Sequence, residues 1–164
     1  MKKLFFALVA AATLMCTSCT KEEETTLKGR WEAPRAADMP DDIAFVALFG
    51  DTELDLYIIA WGQHLKGTYT WNNDVVTYNI ASASQAYTNV TYDEAGNMAT
   101  WEWMAGNLDA GTLTLASGYE WYPMSDEELT RAKEDFGSFA FKVDGTTATS
   151  TLVGIENITF NKVN

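Results

Sequence analysis

The sequence predicts an all-β protein: an antiparallel meander of roughly eight to ten short strands that closes into a barrel, with a β-sandwich as the alternative. Three observations carry this. Short segments rich in Thr, Tyr, Trp, Val and Ile alternate apolar and polar residues along most of the chain. The gaps between them are mostly hairpin length, which makes neighbouring strands antiparallel. A meander of that length exposes its edges unless it closes or stacks.

The alternation runs as follows. In DTELDLYIIAW, Leu54, Leu56, Ile58 and Ala60 share one face, against Asp51, Glu53, Asp55 and Tyr57. GTYTW sets Tyr69 and Trp71 against Thr68 and Thr70, and VVTYNI sets Val76, Tyr78 and Ile80 together. NNDV between them is a turn, with Asn72 and Asn73 suited to positive φ. DEAGN (93–97) turns the chain into MATWEWM, where Trp101 and Trp103 oppose Thr100 and Glu102. GTLTLA reads as a further strand with Leu113 and Leu115 on one side. One short helix is expected near 125–136. Ser125 and Glu128 form a capping box, Glu127 and Arg131 an i,i+4 pair, and Leu129, Ala132 and Phe136 an apolar stripe before Gly137. Such a helix serves either as a lid or as a connector. After it, SFAFKV turns Phe139, Phe141 and Val143 inward, DGT (144–146) is a turn, TATSTLV follows, and ENITFNKV ends the chain with Ile158 and Phe160 inward.

The N-terminus has a different character. Met1-Lys2-Lys3 is basic, and Leu4 to Met15 is an apolar run too short for the roughly twenty residues of a membrane-spanning helix. This is the pattern of a secretory signal peptide. Both cysteines of the chain, Cys16 and Cys19, follow it. Thr17-Ser18-Cys19 resembles a bacterial lipobox, in which small residues precede a cysteine that receives a diacylglycerol; here position −3 is Cys16 where an aliphatic residue is usual. The resemblance implies a signal peptide at 1–18 and lipid attachment at Cys19. It also leaves no thiol for a disulfide, so the folded domain is held by its core alone. Thr20-Lys21-Glu22-Glu23-Glu24-Thr25-Thr26 is too polar to bury and reads as a tether over 19–26. A lysine and a run of acid just after the cysteine resemble the export tag of Bacteroidetes-type surface lipoproteins. That implies an outer-membrane lipoprotein facing the medium, against the plainer reading of a linker. Residues 27–164 form a single domain, long enough for a true core.

Near the start of that domain, LKGRW (27–31) carries Gly29-Arg30-Trp31, which resembles the Gly-x-Trp of the lipocalin-like, or calycin, group. GTYTW (67–71) and the terminal ITFNKV also look like small lipocalin-like domains of bacterial lipoproteins. The resemblance implies a lipocalin-like barrel in which Trp31 closes one end and packs against a basic residue of a late strand, either Lys142 or Lys162. One departure is that lipocalins carry their main helix after the eighth strand, whereas here three strand-like segments follow it.

Composition narrows the function. The formal charge is −12, and removing residues 1–18 deletes Lys2 and Lys3 but no acid, making the remainder two units more negative. Such a domain repels phosphate backbones and anionic headgroups, so nucleic acid is not an expected partner and the lipid, not a basic face, would hold the membrane. The single histidine, His64 in WGQHLKG, reads as a surface-turn residue, too little for a triad or a zinc site. No phosphate-binding or dinucleotide motif is present, and DMPDD (38–42) and Asp51-Glu53-Asp55 match no calcium loop. No catalytic residue, metal ligand or cofactor is expected.

Six tryptophans, seven tyrosines and eight phenylalanines remain to be explained. Either they fill the core, or some line a cavity or an exposed patch. The candidate ligand-binding residues are Trp31, Tyr69, Trp71, Trp101, Trp103 and Trp121. The leading expectation is a non-catalytic module holding a small apolar or amphipathic ligand in the barrel. The alternatives are a sugar-binding accessory lipoprotein, with Glu102 and Glu120 as acceptors beside tryptophans, and an envelope protein with a filled core and a partner surface.

Overall fold

The computed structural model of the protein describes residues 26–35 and 42–163. The leader, Cys19, the tether up to residue 25 and most of DMPDD lie outside the described residues. The chain runs β1 (Gly29–Pro34), β2 (Ile43–Phe49), β3 (Glu53–Ile58), a 3-10 turn (Ile59–Trp61), β4 (Gln63–Asn72), β5 (Val75–Tyr92), β6 (Met98–Glu102), β7 (Glu120–Pro123), α1 (Asp126–Phe136), β8 (Ser138–Asp144), β9 (Thr147–Leu152) and β10 (Ile155–Val163).

Eight strands close into an antiparallel barrel in the order β1-β2-β3-β4-β5-β8-β9-β10, with β10 returning to β1. This is the all-β meander barrel expected, and the sandwich is excluded by the β1–β10 and β4–β5 pairings. The inward faces are those the alternation predicts: Leu54, Leu56 and Ile58; Val76, Tyr78 and Ile80; Phe139 and Phe141; Ile158 and Phe160 are all buried. The turn after β4 places positive φ at Asn73 and Asp74, one residue later than expected.

One end of the barrel is plugged. Trp31 is fully buried, its indole N–H donates to Leu27 O at 2.7 Å, and its ring meets Phe141 edge-on with centroids 5.4 Å apart. Lys162 Nζ sits 5.3 Å from the centre of the Trp31 ring, so the basic partner is Lys162 of the last strand and not Lys142. Phe49, Tyr69 and Trp71 thicken this plug. Phe49 packs on Tyr69 and Phe141, and the Trp71 indole donates to Phe141 O at 3.1 Å. Gly67 is required beside it: a Cβ there would lie 2.1 Å from Asn79 O, where β4 shifts register against β5.

The helix is neither lid nor loose connector. Along β5, β8 pairs with Val75–Thr77 and β7 with Ser84–Tyr87, leaving a gap in the wall between them. α1 fills it: Met124 N–H donates to Ala83 O before the helix and Tyr78 N–H to Gly137 O after it. Ala132, Phe136 and Leu129 complete the core there. The capping box forms as the sequence predicts, with Glu128 N–H on Ser125 Oγ and Ser125 N–H on Glu128 Oε2.

Two segments depart from the alternation. GTLTLA is not a strand. Asp109 accepts from Thr112 N–H and Oγ, Leu113 takes φ 57°, and only Leu115 makes an isolated bridge, to Leu108. The leucines do face the protein, but the aspartate bends the backbone into a tight loop. The second departure is β5, which continues past the barrel rim and carries β6 and β7 as a projecting arm.

The plug gives the first test. Trp31→Ala is expected to cost about 3–5 kcal/mol, the usual loss for a fully buried aromatic, whereas Lys162→Ala is expected to cost only ~0.5–1 kcal/mol. Urea unfolding of both variants measures the difference; equal losses would contradict a plug dominated by packing.

Candidate functional site

The opposite end of the barrel is open. β1, β3 and β9 end there and β2 and β10 begin there, so no plug like Trp31 spans it. A cavity of about 490 Å³ sits in this mouth. Its floor and walls are Phe45, Ile58 and Ile158 from the strands, Val153 and Ile155 from the β9–β10 turn, and Trp61 from the 3-10 turn. The polar lining residues are Arg35, engaged by Asp42 at 2.8 Å, and Glu156, Asn157 and Thr159 of β10. The volume lies within the range of sites for small ligands, and the predominance of apolar side chains with few rim charges is their usual character.

None of the six candidate residues from the sequence lines this cavity. Trp31, Tyr69 and Trp71 belong to the plug at the other end. Tyr69 donates its hydroxyl to Gly50 O at 3.0 Å, and burial raises its pKa above the ordinary tyrosine value. Trp101 and Trp103 are on the projecting arm, 50 % and 46 % exposed. Trp121 is half-buried on the outer wall. The cavity's own tryptophan, Trp61, is 49 % exposed and was not anticipated. Its alternation with Ile58 and Ala60 breaks off because the 3-10 turn begins at Ile59 and Gly62 takes φ 57°.

Trp61 is held from behind. Its carbonyl accepts from the Trp103 indole N–H at 2.9 Å and from the Gln85 amide, so the arm and the mouth share a hydrogen-bonded seam. Gln85 is itself buried on β5.

On the outer wall, residues 106–116 fold down as a flap over Val46, Ile59 and neighbouring side chains, forming a second small core with Leu108, Leu113, Leu115 and Trp121. The Arg30 guanidinium donates to Ala110 O and pairs with Glu32 at 2.6 Å, tying the flap to β1. Asn107 is 2 % exposed, and neither its amide nitrogen nor its amide oxygen has a hydrogen-bond partner. It packs against Gly62, where a Cβ would meet its amide oxygen at 2.1 Å.

His64 lies in β4 and not in a turn, which corrects the sequence expectation. Its Nε2 is 2.7 Å from Asp55 Oδ1, and the ring stacks on Tyr57 with centroids 4.1 Å apart and planes 3° from parallel. Among the described residues no hydroxyl or thiol is hydrogen-bonded to His64, and no group of three His, Cys, Asp or Glu side chains is placed to hold a metal ion. No helix of the described residues is long and apolar enough to cross a membrane. No protein-family model, curated protein or solved structure matches the chain.

The flap supplies a pH test. Hydrogen bonds from the Thr112 backbone, then from its hydroxyl, hold the Asp109 carboxyl below its ordinary pKa of 3.8. A carboxyl depressed in the folded state stabilises above its unfolded pKa, and that contribution is lost as the pH falls through the folded value. Measured relative to the unfolded-chain rate at the same pH, amide exchange at 106–116 is therefore expected to stay slow at neutral pH and quicken as the pH drops below 3.8. Asp109→Ala is expected to show the fast exchange already at neutral pH. Unchanged exchange in that variant would contradict the role given to the aspartate.

Proposed function

We propose that the protein is a lipid-anchored envelope lipoprotein, related to the lipocalin-like group, whose barrel mouth holds a small apolar or amphipathic ligand without catalysis. The observation that carries this reading is the cavity of about 490 Å³ lined by Phe45, Ile58, Trp61, Val153, Ile155 and Ile158. A filled end and an open apolar end on one closed barrel suit a container.

The anchoring half of the proposal rests on the Thr17-Ser18-Cys19 pattern and the acidic run behind it. The fold gives it a geometric consequence. Leu27 is buried under the Trp31 plug, so the chain enters the domain at the closed end. Eight residues from Cys19 to Leu27 reach at most ~3.6 Å each when fully extended. A lipid on Cys19 therefore draws the closed end toward the bilayer and leaves the mouth facing the medium, where a ligand arrives. Two or three acyl chains on that cysteine would anchor stably, as one would not.

Binding is tested by titrating the full chain with N-phenyl-1-naphthylamine and then displacing the dye with fatty acids. Saturable binding at one site is expected, with Trp61→Ala and Ile155→Glu each weakening it about tenfold or more, as loss of a central aromatic or a charge in the apolar wall does. Both side chains are about half exposed, so neither variant threatens the core. Wild-type affinity in both, or no binding of any of these probes, would refute the cavity reading. Anchoring is tested separately: Cys19→Ala is expected to move the protein from the membrane fraction to the soluble one, and unchanged retention would refute it.

A further inference from the structure

Four of the eight large apolar side chains exposed among the described residues (Tyr92, Trp101, Trp103 and Met104) lie on or just after the arm of β5 and β6, and Trp61 touches that arm through its carbonyl. Single exposed apolar residues are ordinary; a cluster of this kind marks an interaction surface. The barrel does not need these rings. β5 leaves the barrel wall near Gln85; Tyr122 stands level with Gln85 on the adjoining β7, and Tyr87 and Trp101 lie beyond it.

The register shows how they are arranged. Tyr87 on β5 is directly opposite Glu120 on β7, and Gln85 is opposite Tyr122, so Tyr87, Tyr122 and Glu120 share one face of the arm. Trp101 of β6 joins them from the other side of β5. The Tyr87 and Trp101 rings are 5.9 Å apart at 57°, and the Tyr87 and Tyr122 rings 6.2 Å apart at 46°. The three tilted rings stand in a row with Tyr87 at its centre, called the trough below. Glu120 lies within it: its Oε2 accepts from the Tyr122 hydroxyl at 3.4 Å, and the carboxylate makes no ion pair among the described residues.

We infer that this trough is a binding site for a neutral oligosaccharide, distinct from the mouth cavity. A pyranose ring has apolar C–H faces and hydroxyls around its edge. It needs aromatic rings to lie on and a few acceptors beside them, which Tyr87, Trp101, Tyr122 and Glu120 supply together. The phenol hydroxyls add donors at the edge. Charge selects against anionic occupants. The chain carries −12, so a second copy and an anionic membrane are both repelled, while an uncharged sugar is not. A purely apolar partner would leave the Glu120 carboxylate desolvated and unpaired, a costly outcome.

The test is calorimetric titration of the full chain with maltohexaose, cellohexaose and xylohexaose, and with a hexamer of galacturonic acid as the charged counterpart. Binding of at least one neutral hexamer is expected, with none to the galacturonate. Trp101→Ala and Tyr122→Ala are each expected to weaken that binding about tenfold or more, and Glu120→Gln to weaken it less, since its amide oxygen still accepts. Ile155→Glu in the mouth is expected to leave it unchanged, so this inference and the cavity reading fail separately. Three results would overturn it: no binding to any neutral hexamer, wild-type affinity in both aromatic variants, or a concentration-dependent dimer by sedimentation that Trp101→Ala dissolves.

Discussion

The hydrogen-bonded return of the last strand to the first is the constraint on which the rest depends. β10 pairs with β1 through Arg30, Trp31 and Glu32, and that seam turns an open meander into a tube without free edges. It also brings Lys162 over Trp31 and sets Phe160 and Ile158 beside the plug and the mouth respectively. With the seam closed, every inward side chain faces another strand, and the two ends become chemically distinct. One end receives Leu27, Trp31, Phe49 and Phe141; the other is rimmed by turns and left open.

β5 is the second organising element because it belongs to two structures at once. Its first half is barrel wall, paired with β4 and β8; its last residues carry the arm, paired with β6 and β7. The gap left between β8 and β7 is the reason α1 is packed into the wall. A helix with only Ala132 and Phe136 buried is marginal alone. Here the flanking hydrogen bonds of Met124 and Gly137 hold it against β5, and the strand ladder fixes its position. The same geometry joins the two candidate ligand surfaces, since Trp103 from the arm and Gln85 from β5 both donate to the carbonyl of Trp61 in the mouth.

The buried polar groups divide along the same lines. Tyr78, deep in the barrel, donates to Leu54 O at 2.8 Å, and burial drives its pKa far above the ordinary tyrosine value, so it stays a neutral donor. Ser150 is likewise satisfied by Ala140 O. The unpaired buried amide is Asn107, under the flap. Among the described residues the buried side-chain polar atoms of the barrel interior are thus paired, and the unpaired amide is on the outer wall, where a loop and not a ladder supplies the partners.

Although it misread GTLTLA as a strand and His64 as a turn residue, the local sequence alone determined most of the barrel strands with their inward faces, the hairpin turns and the capped helix. Each depends on nearest neighbours: alternation along a strand, a positive φ at Asn73, a serine three residues before Glu128. It also determined that the fold must close, because ten alternating segments without cover cannot stay open. Tertiary structure decided everything that depends on which end of the tube a residue occupies. Tyr69 and Trp71 alternate inward as read, yet they sit at the plug; Ile58 and Ile158 alternate identically and sit at the mouth. No local pattern separates the two, because alternation reports a face and not a height along the barrel axis. Trp101 and Trp103 carry the same alternation outside the barrel, since only the length of β5 beyond its pairing with β4 shows that an arm exists. Lys142 and Lys162 were equivalent in sequence, and the β1–β10 register chose between them. The abundance of aromatic residues was legible in the sequence; closure of the barrel put Trp31, Tyr69 and Trp71 in the plug, and the extension of β5 put Trp101 on the arm.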